Sequence, residues 1–178
     1  MKSLQIIQKT FRVFQTLSKI AMVLSFVWAG LAALGLLCGV LWYSGGNVFG
    51  VNQELLYSLT VTGGLTEMIG VLLVDFILAL TDGILLVFAL RYFKAEQADG
   101  TPFSHSGADL MKRLGILLIV LPAVATILVG VLHGIFDMPQ IEAADVGNGT
   151  SVMMGIMLIL VSLILRYGAE MEENRDAR

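Results

Sequence analysis

Four long apolar runs alternate with polar connections along the chain, and this pattern predicts four transmembrane helices. The apolar runs cover residues 20–43, 68–93, 114–136 and 151–167. At about 1.5 Å of rise per residue, each of the first three can cross a hydrocarbon core about 30 Å thick, whereas the fourth is short. The pattern therefore predicts an all-α fold, a four-helix transmembrane bundle that forms one integral membrane domain over residues 1–178.

The two ends of the chain show different patterns. In residues 1–19, a helical wheel separates basic and polar side chains from an apolar side formed by Leu4, Ile7, Phe11, Phe14 and Leu17. We expect an N-terminal amphipathic interfacial helix that lies in the headgroup layer. A simple leader into the first span and a helix that binds a groove of a partner protein are the alternatives. Residues 168–178 are predicted to form a charged cytoplasmic tail.

Composition supports a membrane protein and excludes several other classes. Of the 178 residues, 57% are hydrophobic and 14% are charged, which is too apolar for an ordinary soluble domain. The net charge of −3 gives no support to nucleic-acid binding. Cys38 is the only cysteine, so one chain can form neither a disulfide nor a cysteine-based zinc cluster.

The basic residues predict the orientation of the chain. All eleven Lys and Arg residues fall in the N-terminal segment, in the connection 91–113, or from Arg166 onward. The connections 44–66 and 137–150 contain none. By the positive-inside rule, we expect both termini and the connection 95–113 to be cytoplasmic.

Two aspartates, Asp75 and Asp82, interrupt the second apolar run. On a helix, their spacing of seven residues gives roughly 10 Å of rise and about 20° of rotation, which places both on one stripe. The apolar residues around them supply roughly 4–8 kcal/mol of insertion free energy, against about 2.5–3.5 kcal/mol lost for each aspartate. We expect the stripe to face the bundle interior, as a proton or cation relay or as static polar contacts with Thr81, Ser162, a tyrosine or a carbonyl freed by Pro122.

Two further residues extend this candidate intramembrane polar or proton site. Glu67 falls within about 80° of the same stripe, toward the outer surface. His133 lies near the outer end of the third span, where it either titrates together with Asp75 or simply makes a hydrogen bond near the interface. His105 is predicted on the opposite side of the membrane, so the two histidines cannot share a metal ion.

Small residues predict where helices pack closely. Gly35 and Gly39 form a small-xxx-small pair in the first span. Thr126, Gly130 and Gly134 recur at steps of four in the third span and predict a second close contact. Pro122 removes one backbone hydrogen bond and predicts a kink.

Two segments, GTPFSHSGADLMKRLG and LRYGAEMEENRD, resemble the motifs of a bacterial family of small four-helix integral membrane proteins of unknown function. The matching residues are Pro102, Phe103, Ser104, Leu110, Arg113, Gly115, Tyr167, Gly168 and Glu170. The usual asparagine after the Pro-Phe-Ser turn is absent, and the intramembrane acids are not part of the family pattern. The resemblance implies a four-span fold in the bacterial inner membrane and carries no established activity, although some members are encoded beside helix-turn-helix regulators.

The sequence leaves two functional hypotheses. The first is a small accessory or regulatory inner-membrane protein that acts through protein contacts, with Pro102, Phe103, Ser104 and Arg113 as a candidate cytoplasmic interaction motif. The second is a proton- or cation-conducting or sensing module. Catalytic signatures, cofactor motifs and metal-ligand spacings are missing, so we expect no enzyme, no cofactor and no metal site. The expected partners are membrane lipid and either another protein or a second copy of the chain, and not nucleic acid.

Overall fold

The computed structural model is all-helical and describes residues 2–43, 65–99, 105–136 and 149–176. Its four helices are α1 (Lys2–Tyr43), α2 (Leu65–Asp99), α3 (His105–Phe136) and α4 (Gly149–Asp176). Each contains a stretch long and apolar enough to cross a membrane, namely Arg12–Leu41, Thr66–Ala98, His105–Phe136 and Gly149–Met171. This confirms the predicted all-α fold with four candidate spans.

The N-terminal segment does not form a separate amphipathic helix, so that prediction is not supported. α1 runs without a break from Lys2 to Tyr43, and its apolar stretch begins at Arg12, inside the segment that was predicted to lie in the headgroup layer. Residues 16–21 contain neither glycine nor proline, so nothing in the backbone favours ending the helix there. At the other end of the chain, α4 continues as helix through most of the segment 168–178 that was predicted to form a charged tail.

The helices contact one another in chain order. α1 packs on α2, α2 on α3, and α3 on α4, and no other pair of helices is in contact within the described residues. α2 and α3 meet at Val74 and Val129, which are 4% and 2% exposed, with Val71, Leu132 and Phe136 packed around them. Among the described residues, the four helices therefore form an array in which α2 contacts two other helices and α1 contacts only one.

The small-residue predictions have different outcomes. Gly35 and Gly39 do bring α1 against α2: a Cβ atom on Gly35 would lie 3.1 Å from Leu72 Cδ1, and one on Gly39 would lie 3.2 Å from Ile69 Cγ1. The stripe through Gly130 and Gly134 makes no close contact among the described residues, because none of them lies within 4 Å of a Cβ atom added at either position. Small side chains permit a close approach, but they do not select the face that makes it.

Candidate functional site

Asp75 and Asp82 line one groove between α1 and α2. Asp75 is half-buried and Asp82 is exposed. The groove has a volume of about 890 Å³. Its walls are mostly apolar, and the lining residues are Ala21, Leu24, Ser25, Val27, Trp28, Asp75, Leu78, Ala79, Asp82, Leu85 and Leu86. The predicted stripe is thus present, but it faces this groove rather than the centre of a closed bundle.

The two helices are in direct contact at Ser25. The Ser25 hydroxyl donates a hydrogen bond of 2.8 Å to the carbonyl oxygen of Ala79, which lies between the two aspartates along α2. Ala79 is 6% exposed and Ala29, one turn beyond Ser25, is 4% exposed. Small side chains on both helices allow this approach, and they leave the bulkier Leu24, Trp28 and Leu86 to form the walls of the groove.

The groove has a limited length along the helices. On one side of it, Gly35 and Gly39 pack against Leu72 and Ile69. On the other side, the rings of Phe14 and Phe93 stack with their centroids 6.3 Å apart. α1 and α2 are therefore in contact beyond both ends of the groove. Because α1 has no other helical neighbour in the described part of the chain, the long open side of the groove is covered by neither α3 nor α4.

Neither carboxylate has a counter-ion among the described residues. No lysine or arginine occurs between residues 20 and 90 or between residues 114 and 165. Among the described residues, neither carboxylate takes part in a hydrogen bond or an ion pair. Aspartates at membrane depth normally pair with an opposite charge, with backbone groups or with water. The arrangement therefore leaves two acidic side chains available to a molecule outside the chain.

The hydroxyls considered as static partners of the aspartates are engaged elsewhere. Thr81 donates to the carbonyl of Ile77, and Ser162 donates to the carbonyl of Ile159, at 2.8 and 2.6 Å. Tyr92 shares a side-chain hydrogen bond with Glu96, one turn further along α2. These bonds stay within each helix, so they do not hold Asp75 or Asp82 in place.

Glu67 and His133 lie apart from this groove. Glu67 is half-buried in the first turn of α2 and is not among the groove residues. The Nδ1–H of His133 donates to the carbonyl of Val129 at 2.9 Å, while Nε2 is buried and has no hydrogen-bond partner among the described residues. No group of three or more potential metal ligands occurs in the described ranges.

A second candidate site is the end of the molecule that carries the lysines and arginines of the described residues, which we call the basic end. It consists of the beginning of α1, the end of α2, the beginning of α3 and the end of α4. Phe14 contacts Phe93 across α1 and α2, and His105 Nε2 lies 3.7 Å from Glu173 Oε2 across α3 and α4. Tyr92 and Glu96 are buried here, as are Ala108 and Ala169.

The predicted cytoplasmic motif falls partly on the basic end. Pro102, Phe103 and Ser104 lie outside the described residues. Arg113 is exposed on α3, beside the exposed Lys112 and one turn from the exposed Asp109. The basic end therefore presents charged side chains on a helix whose opposite face is packed.

Sequence reasoning did not identify Ser25 and Trp28 as parts of the site. Trp28 is 58% exposed and lies near the middle of the span Arg12–Leu41, whereas tryptophan in membrane proteins is concentrated at the interfaces. This position in the middle of an apolar run is visible in the sequence and could have identified Trp28 as a candidate site residue. Ser25 carried no comparable signal, because a serine in an apolar helix usually bonds to its own backbone.

Comparisons of the chain with protein-family models, with curated proteins and with solved structures found no match. The resemblance to a bacterial four-helix family therefore stays a prediction from the motifs.

Proposed function

We propose that this chain is a small accessory or regulatory membrane protein that binds another protein through its basic end. The observation that carries the proposal is the length of the helices. α1 has 42 residues and spans roughly 63 Å at about 1.5 Å per residue, about twice the thickness of a hydrocarbon core. The excess falls at the basic end, where α1 and α2 still pack together through Phe14 and Phe93.

The basic end has the features of a protein-binding surface. Its core is packed, with Tyr92 7% and Glu96 5% exposed, so the surface above it is held in one shape. Both signs of charge are present on that surface: Lys94, Lys112 and Arg113 are exposed together with Asp109 and Glu173. Mixed charges of this kind favour specific recognition and fix the register of a partner.

The proposal includes the orientation of the chain. The basic end faces the cytoplasm of a bacterial cell, with both termini there, because the positive-inside rule places Lys and Arg on that side. Reporter fusions after Asn52 and Asp145 are expected to give the external signal. A cytoplasmic signal from either fusion would contradict four spans with this orientation.

Site-specific photo-cross-linking in native membranes tests the partner. A cross-linker at Lys112 is expected to form a discrete adduct with another protein. The same group at Ile127, which is 67% exposed on the membrane-embedded part of α3, serves as the matched control and is expected to form none. In the protein that carries the cross-linker at position 112, Arg113→Glu should weaken the adduct and Arg113→Lys should preserve it. Only the first substitution reverses the charge. Equal adducts at both positions would overturn the proposal.

A proton- or cation-conducting or sensing module is the second candidate function. The observation that favours it is the presence of Asp75 and Asp82 along one groove. The contacts of α1 with α2 beyond both ends of that groove argue against a continuous path across the membrane. Ion flux that requires both carboxylates would favour this candidate over the first.

A further inference from the structure

The groove between α1 and α2 has the size and lining of a small-molecule site. Ligand pockets in proteins have volumes of about 300–1,000 Å³ and are mostly apolar, with a few polar groups that orient the ligand. The groove, at about 890 Å³, falls in this range. Its walls are formed mainly by leucine, valine and alanine, and its polar groups are Asp75, Asp82, Ser25 and the indole of Trp28.

The limited length of the groove distinguishes a compact ligand from a partner helix. Along α2 the groove extends from Asp75 to Leu86, roughly 17 Å at about 1.5 Å per residue. A transmembrane helix packed alongside would need a continuous contact over about 30 Å of hydrocarbon. Beyond the groove, Leu72 already fills the space against Gly35, and Phe93 stacks on Phe14. The shape therefore fits a molecule no longer than about half a membrane thickness.

The charge of the site selects a cationic ligand. Two carboxylates line the groove, and the chain places no lysine or arginine between residues 20 and 90. An ionised carboxylate at membrane depth is stabilised by an opposite charge, which a neutral or anionic occupant would not provide. A cation supplies that charge, and Asp82 is the more exposed of the two carboxylates.

Trp28 adds a second contact suited to the same ligand. Its side chain lines the groove and is 58% exposed near the middle of a span, away from the interfaces where tryptophan is enriched. The face of an indole ring attracts organic cations, and tryptophan is the strongest of the aromatic side chains in this respect. A groove lined by carboxylates and an accessible indole is thus complementary to an ammonium or phosphonium group with apolar substituents.

From these observations we infer that the groove between α1 and α2 binds a hydrophobic organic cation that enters sideways from the bilayer. Asp82 is the main counter-ion, Asp75 supplies a second negative charge two turns away, and the indole of Trp28 packs against the cation. The leucines of the walls cover the apolar substituents. This site goes beyond the proposed protein-binding role and is located in a different part of the molecule.

A pair of ions with the same shape and opposite charge tests the inference. Binding of tetraphenylphosphonium and of tetraphenylborate to the full chain in lipid nanodiscs is measured by equilibrium dialysis, with empty nanodiscs subtracted. We expect saturable binding of the phosphonium at one per chain and none of the borate. Asp82→Asn should weaken phosphonium binding by about tenfold or more, and Trp28→Leu by about threefold to tenfold.

Matched variants separate recognition from damage to the fold. Asp109→Asn removes an exposed carboxylate at the basic end and should leave binding unchanged. Asp75→Asn and Asp82→Asn keep the size of the side chain, and thermal unfolding of each variant is measured in parallel. Equal binding of the two ions, or phosphonium binding unaffected by Asp82→Asn, would overturn the inference. Recovery of a tightly bound phospholipid in place of the phosphonium, seen by native mass spectrometry, would also overturn it.

Discussion

Two glycines face each other where α3 crosses α4, and they form the closest approach among the glycines of the described spans. A Cβ atom on Gly155 would lie 2.5 Å from Ile119 Cγ1 and 2.7 Å from the carbonyl oxygen of Gly115. A Cβ atom on Gly115 would lie 2.8 Å from the carbonyl oxygen of Gly155. Because backbone atoms cannot rotate away as a side chain can, any larger residue must separate the two helices.

We predict that Gly155→Ala destabilises the protein by about 1–3 kcal/mol, since overpacking outweighs the better helix propensity of alanine. Gly130→Ala is the matched control, because nothing described lies within 4 Å of its added methyl group. That change should be neutral or stabilising by up to about 1 kcal/mol. Thermal unfolding in detergent measures both. A Gly155→Ala protein as stable as the control would mean that this crossing is not tightly packed.

At the scale of residues, the sequence predicted positions better than contacts. The interval of seven residues was enough to place Asp75 and Asp82 on one stripe, because helix geometry is fixed. It did not indicate the neighbours of that stripe, Ser25 and Trp28, which are about fifty residues away in the chain. The glycines in the third span were assigned to a contact that the structure instead makes at Gly115 and Gly155.

At the scale of elements, α1 is the helix whose prediction changed most. On a helical wheel, the polar and apolar side chains of its first residues fall on opposite sides. Such a pattern does not show whether the helix bends before the next span. The structure shows one continuous helix through residues 16–21. The ring of Phe14 stacks on that of Phe93 and so holds the early part of α1 against α2. The start of α1 is thus positioned by helix packing in addition to its own polarity.

Spin labels on α1 test the continuity of this helix. Labels at Lys9 and Leu31 are 22 residues apart and should give a backbone distance of about 33 Å for one straight helix. A right-angle bend near residue 19 would shorten it to about 23 Å. Labels at Gly149 and Met171, also 22 residues apart, provide the control within α4. Pulsed electron paramagnetic resonance in nanodiscs measures both distances. A distance well below about 33 Å in α1, together with the expected distance in α4, would support a separate interfacial helix instead.

At the scale of the whole molecule, the four candidate spans and the segments that carry lysine and arginine were predictable. Which helices contact each other was not. Apolar length and the placement of lysine and arginine are properties of each segment and can be read directly. Which helix touches which depends on side-chain complementarity between distant segments. Among the described residues, the helices contact one another in chain order, so α1 keeps a long face and an acidic groove away from α3 and α4.

This arrangement supports a protein that binds molecules rather than one that conducts ions. The groove opens along the side of α1 and α2, and the two helices contact each other beyond both of its ends. Among the described residues, His133 lines no part of it, and Glu67 does not extend it toward the outer end. A relay of protons needs successive groups within hydrogen-bond reach, directly or through water.

The central claim is that the protein binds other molecules and does not conduct ions. Ion flux into vesicles is therefore the measurement that tests it most directly. The purified chain is reconstituted in liposomes, and proton and potassium flux are followed under an imposed gradient, with Asp75→Asn and Asp82→Asn proteins reconstituted at equal yield. The account predicts that wild-type flux equals that of empty vesicles. Wild-type flux clearly above that level, and lost in both asparagine variants, would contradict it and would make the acidic groove a conducting path.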